Sequence, residues 1–137
     1  MIIETDCLIL RAPQPDEAVE VYEVVRESAQ EMKPWIDWVE DWSSPARVEE
    51  IAYRCRVWFY NRETFTWRIY RRDTRQFVGT VELHSIDWDV PRAEIGYWIR
   101  SSAARQGCSV QLAMQSWGIK RIQALCDIVI LGKVIAF

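Results

Sequence analysis

The spacing of apolar and polar positions divides the chain into segments of two periods. "CLILRAP", residues 7–13, alternates, with Leu8 and Leu10 on one face and Cys7 and Ile9 on the other. That alternation predicts a short strand, ended by Pro13. "QPDEAVEVYEVVRES", residues 14–28, changes to helical spacing, with Ala18, Val21, Tyr22 and Val25 in one apolar stripe. Pro15 suits the first turn of this helix, and Asp16 and Glu17 complement its positive end. "EMKPWIDWVEDWSSP", residues 31–45, keeps neither period and predicts a loop or broken helix holding Trp35, Trp38 and Trp42. Ser44 and Pro45 announce a second helix, roughly Ala46 to Asn61, with Val48, Ile51, Ala52, Cys55 and Phe59 inward. Three strands follow, Phe65–Arg71, Phe77–Asp87 and Arg92–Arg100. The turns between them, "RRDTRQ" and "WDVP", are short enough for antiparallel hairpins. After Gly107, "CSVQLAMQSW" predicts a short helix and "IQALCD" a final strand. Strand, two helices, three strands, helix, strand is the order of an α/β domain with a mixed sheet.

Composition narrows the class further. At 137 residues, with 50% of them apolar and 27% charged, the chain fits one soluble globular domain with a core of modest size. No apolar run is long enough to span a bilayer, and Met1 opens on Ile, Ile, Glu and Thr without the basic start of a secretory signal. A cytoplasmic location and no membrane partner are the expectation. Cys7, Cys55, Cys108 and Cys126 make no CxxC pair and do not cluster with the single histidine, His84. That rules out a multi-histidine metal centre, argues against zinc, and leaves reduced, mostly buried thiols.

The net charge of −3 hides an asymmetry. Residues 1–50 carry 13 acidic and 4 basic side chains, whereas residues 51–137 carry 7 and 13. Most such charges serve solvated faces, but a basic half also favours a phosphorylated ligand and an acidic half an amine. Arginines and tryptophans interleave, yet the negative net charge and the lack of a basic motif argue against nucleic acid.

"AEIGYWIRSSAARQGC", residues 93–108, ends a strand abruptly on small and polar residues around one glycine. Alone, one glycine in a turn is only a turn. After this strand and before a helix start, the segment has little side-chain bulk, which suits a loop that lets something negatively charged approach the backbone.

With "LILRAPQPDEAVEVYEVV", "MKPWIDW" and "VGTVELHSIDWDVPRAEIGYWI", the chain resembles the GNAT superfamily of acetyl-CoA-dependent N-acetyltransferases over roughly residues 1–127. More narrowly it resembles the Rim-type branch, which acetylates the amino termini of ribosomal proteins. The resemblance implies a GNAT-like acyl-CoA N-acyltransferase fold, acetyl-CoA as co-substrate, and an amine acceptor, either a protein N-terminus or a small amine. The family's loop pattern is Gln/Arg-x-x-Gly-x-Gly/Ala. Here "ARQGCS" puts Gly107 on the fourth position and Ser109 on the sixth, with Ala104 departing at the first.

By that match Arg105, Gln106, Gly107, Cys108 and Ser109 would meet the cofactor. Trp98, Ile99 and Arg100 would occupy the strand break that frees a backbone N–H for the thioester oxygen. Glu94 stands where some members keep a general base, the plain alternative being a glutamate on the wet face of a strand. His84, on the neighbouring strand, is the second candidate to take the amine proton, against a simple hydrogen-bonded role on the sheet. Trp35 and Trp38 would wall the acceptor cleft or else pack in the core.

The resemblance stops after Asp127. Cys108–Trp117 gives a helix about 15 Å long, nearly two turns short of the family's. "IVILGKVIAF", residues 128–137, stands in place of the last helix and closing strands, and the tyrosine that often protonates the leaving thiolate has no counterpart. Two readings stay open. One is a C-terminally truncated, catalytically impaired remnant or interaction module that binds CoA weakly. The other is an active enzyme whose apolar tail pairs on a bare sheet edge, as a hairpin about Gly132 and Lys133 or across a homodimer.

Overall fold

A computed structural model describes residues 2–4, 6–34, 41–89, 92–103 and 133–136. Among the described residues, six strands make one sheet in sequence order: β1 (Ile2–Glu4), β2 (Leu8–Arg11), β3 (Phe65–Arg71), β4 (Phe77–Asp87), β5 (Arg92–Ile99) and β6 (Lys133–Ala136). Neighbours run antiparallel except β5 and β6, which are parallel. Between β2 and β3 lie a 3-10 turn (Pro15–Glu17), α1 (Ala18–Met32) and α2 (Pro45–Tyr60). This is the expected mixed α/β architecture.

The sequence pattern places β3 and β4 to the residue and β5 to within one. The first helix differs: Pro15–Glu17 is a 3-10 turn, and α1 continues four residues beyond Ser28 to Met32. α2 starts as its residues dictate, with Pro45 in the first turn and the Arg47 N–H donating to Ser44 Oγ at 3.2 Å. β1 has no counterpart in the sequence reading, because three residues are too few to display a period. The segments "CSVQLAMQSW" and "IQALCD" lie outside the described residues. Of the apolar tail, Lys133–Ala136 lies along β5, with Arg92 opposite Lys133 and Ile95 opposite Ala136.

Strand alternation sorts the core into two clusters, one on each face of the sheet. Leu8, Leu10, Phe65, Trp67, Ile69, Val78, Val81 and Leu83 share one. Ile9, Tyr70, Phe77 and Trp98 pack on the other against Val21, Val24 and Val25 of α1 and Val48 of α2. The faces predicted for Leu8, Leu10 and Ile9 are those observed. Ile51, expected inward, is only half-buried and turns to an open cleft instead. Cys55 is buried and Cys7 is exposed; Cys108 and Cys126 lie outside the described residues.

Glu17 ties the α1 end to the sheet. It holds the Arg11 guanidinium, accepts from Arg68 Nη1 at 2.9 Å and from the Tyr70 hydroxyl at 2.7 Å, and receives the Gln14 N–H at 3.4 Å. Burial, and then the bond to Glu17, push the Tyr70 phenol well above its ordinary range, so it stays a donor. Sequence reading gave Glu17 only a helix-end role. In the fold it also neutralises a buried arginine.

Candidate active site

A cleft of about 420 Å³ opens between α2 and the sheet face that α1 and α2 cover. Ile51, Ala52, Cys55 and Trp58 line it from α2, Thr66 and Arg68 from β3, Thr80, Glu82 and His84 from β4, and Gly96 and Trp98 from β5. These strand residues meet there because register sets Thr66 opposite Glu82, Arg68 opposite Thr80, Glu82 opposite Gly96 and His84 opposite Glu94. Alternation then turns Thr80, Glu82 and His84 to one face.

At one end of the cleft His84 and Glu94 meet through a residue that the sequence reading passed over. A register irregularity follows His84, and Ser85 takes a left-handed backbone with φ 51°. A serine held in that conformation carries strain, which is more common at functional sites than elsewhere. Ser85 Oγ donates to Glu94 Oε2 at 3.2 Å and lies 3.1 Å from His84 Nδ1. Because that hydroxyl spends its proton on Glu94, it pairs with Nδ1 when Nδ1 carries the ring proton. His84 Nε2 is then a bare acceptor. A Cβ at Gly96 would sit 3.5 Å from Nε2, so the missing side chain leaves room over that nitrogen. Glu94 itself stays outside the cleft lining, with its side chain 40% exposed.

Deeper in, Thr66 Oγ1 donates to Glu82 Oε2 at 2.9 Å. Thr80 Oγ1 is buried and has no hydrogen-bond partner among the described residues, so a polar group is wanted beside it. Burial pushes the Cys55 thiol up, against a smaller opposing effect from Thr66, and keeps it protonated and unreactive. Trp98 is buried, edge-on to Phe77 at 5.7 Å and to Trp42 at 6.2 Å between ring centroids.

The other edge of β5 pairs with β6 from Arg92 to Ile95. Ile99 packs on the far core cluster. The Arg100 N–H donates to Val78 O at 2.8 Å, its guanidinium pairs with Glu27 of α1, and Nη1 donates to Phe77 O at 3.3 Å. Ser101 N–H donates to Ser28 Oγ at 3.1 Å, and Ser101 Oγ to Glu31 Oε2 at 2.7 Å. Residues 100–102 are thus clamped to α1 just before the phosphate-loop candidates. Arg105, Gln106, Gly107, Cys108 and Ser109 lie outside the described residues, as do Trp35 and Trp38.

The clamp has a pH signature. A hydrogen bond from Ser102, opposed next in size by burial and then reinforced by the bond and charge of Arg100, lowers the Glu27 pKa. A carboxyl lowered on folding adds stability above its ordinary range and loses it as pH falls through the lowered value. Glu27→Gln is expected to flatten the acid limb of stability between roughly pH 5 and 3, by under about 1 kcal/mol because the pair is solvent-screened. Urea midpoints measured across that range check it, and an unchanged slope would dismiss the clamp.

A mixed sheet with two helices on one face and a histidine-lined cleft beneath α2 has the acyl-CoA N-acyltransferase fold. The acetyltransferase (GNAT) domain family matches residues 8–127, and the chain belongs to that family. It is therefore an N-acetyltransferase that uses acetyl-CoA. It is 28% identical over 131 residues to the uncharacterised N-acetyltransferase YoaA of Bacillus subtilis (strain 168), covering 90% of this chain and 72% of that protein. A structure assigned as a ribosomal-protein-serine acetyltransferase from Vibrio cholerae superposes with TM-score 0.73 at 27% identity, covering 90% of this chain and 69% of the other. The microcin C7 self-immunity acetyltransferase MccE, solved with acetyl-CoA and AMP, shares the fold with TM-score 0.81 at 18% identity, covering 96% and 69%. No described helix is long and apolar enough to cross a membrane.

Proposed function

We propose that the chain acetylates a primary amine, with the N-terminus of a cytoplasmic protein as the acceptor class, and that His84 takes the amine proton. The observation that carries this reading is the chain from His84 Nδ1 through Ser85 Oγ to Glu94 Oε2, which leaves Nε2 as an acceptor at the cleft. Acetyl-CoA supplies the acetyl thioester. An ammonium has no lone pair with which to attack it, so a nearby base must strip one proton first. His84 is placed for that step, and Glu94 stabilises the resulting imidazolium as a positioning residue.

Buried Trp98 walls the cleft from β5. The likeness to the Vibrio cholerae protein supports a protein N-terminus over a free small amine. Calorimetric titration with acetyl-CoA, followed by thiol release with serine-initiated peptides, tests the reading. Binding with peptide-dependent thiol release supports it. Binding without release would favour a CoA-binding interaction module, and neither would favour a remnant.

A further inference from the structure

We infer that Glu82 is the acceptor anchor, the group that seats the incoming ammonium on the cleft floor. The inference rests on the acetyl-transfer reading for its purpose, but on its own residues for its geometry. Glu82 is half-buried, faces the cleft and lies directly opposite Gly96, the residue whose missing side chain opens the space over His84 Nε2. Its one hydrogen-bond partner among the described residues is the Thr66 hydroxyl on Oε2. A carboxylate offers about four acceptor positions, so most of its capacity remains for a ligand.

Neighbouring cations do not neutralise it. Arg68, on the same floor, is 3% exposed and directs its guanidinium to Glu17 at 2.9 Å and to Gln14 O at 2.7 Å, with no ion pair to Glu82. No cation among the described residues lies within ion-pair distance of Glu82. A carboxylate held in a half-enclosed cleft is costly when a ligand expels its water, unless that ligand brings a positive donor. A primary ammonium brings three N–H donors. One bond to Glu82 and one directed at His84 Nε2 would aim the nitrogen at the adjacent β5 edge. The cleft thereby selects amines that arrive protonated and discriminates against alcohols and weakly basic aryl amines.

The test uses the full chain loaded with CoA and two probes, seryl-alanyl-alanine amide and its counterpart with hydrogen in place of the terminal amine. Wild type is expected to bind the amine roughly tenfold more tightly, the scale of one charge-assisted hydrogen bond. Glu82→Gln keeps an acceptor for Thr66 and should bring the two probes to near equality, leaving CoA affinity and far-UV circular dichroism unchanged. In turnover, the acceptor KM should rise by the same factor while the acetyl-CoA KM stays put, a split that general destabilisation would not produce. The anchor is overturned if Glu82→Gln keeps the preference, or if wild type does not distinguish the probes. Discrimination without any turnover in wild type would support the anchor and count against the acetyl-transfer reading alone.

Discussion

Glu17→Ala is expected to lower the free energy of unfolding by about 3–5 kcal/mol, the cost of removing one partner of a buried ion pair. Arg68 is 3% exposed and its charge is balanced by Glu17, whose side chain is 11% exposed. Without that carboxylate the guanidinium keeps only the Gln14 carbonyl, the Tyr70 hydroxyl loses its acceptor, and Arg11 loses its ion-pair partner. The same change removes the side-chain acceptor of the Gln14 N–H where the chain enters α1. Glu17→Gln keeps shape and acceptors without charge and should cost visibly less. Urea unfolding of both variants measures the difference. A loss below about 1 kcal/mol for Glu17→Ala would mean that water solvates Arg68 in the folded state.

Gly79→Ala is expected to be nearly as damaging, and in a place that matters for binding. A Cβ there would lie 2.1 Å from the Trp98 carbonyl oxygen and 3.0 Å from the Ile99 Cα, both backbone atoms of β5. No rotamer change relieves a contact with main chain, so β5 must move away from β4 at Trp98 and Ile99. Overpacking of this kind costs up to about 3 kcal/mol, or a fall in Tm of roughly 10 °C for a domain of this size. The displaced segment carries Trp98 and Ile99, which the family resemblance sets against the thioester, so acetyl-CoA affinity should fall as well. Thermal unfolding and calorimetry on one preparation measure both. A variant with unchanged Tm and affinity would show that β5 does not sit this close to Gly79.

The sequence was most legible where period and punctuation agreed. The short turns "RRDTRQ" and "WDVP" bounded β4, and Ser44–Pro45 marked the α2 start. Legibility failed where tertiary contacts decide. The extra turn of α1 is held by Ser28 and Glu31, which bind Ser101 some 70 residues away, a link no local pattern contains. The site was half legible. His84 and Glu94 stood out as titratable groups on neighbouring strands, but their connection depends on Ser85 and a register irregularity that only the folded hairpin displays. Glu82 carried a usable signal, since alternation alone sets it on the face of His84. What it lacked was any mark that Arg68, the nearest candidate partner by register, is already occupied by Glu17.

The central claim is that His84 is the proton acceptor of an acetyl transfer at this cleft. Thiol release from acetyl-CoA with a serine-initiated peptide, in wild type and His84→Gln, tests it most directly. His84→Gln should lower kcat roughly 100-fold at neutral pH while acetyl-CoA affinity stays unchanged. A His84→Gln protein with the wild-type rate would contradict it.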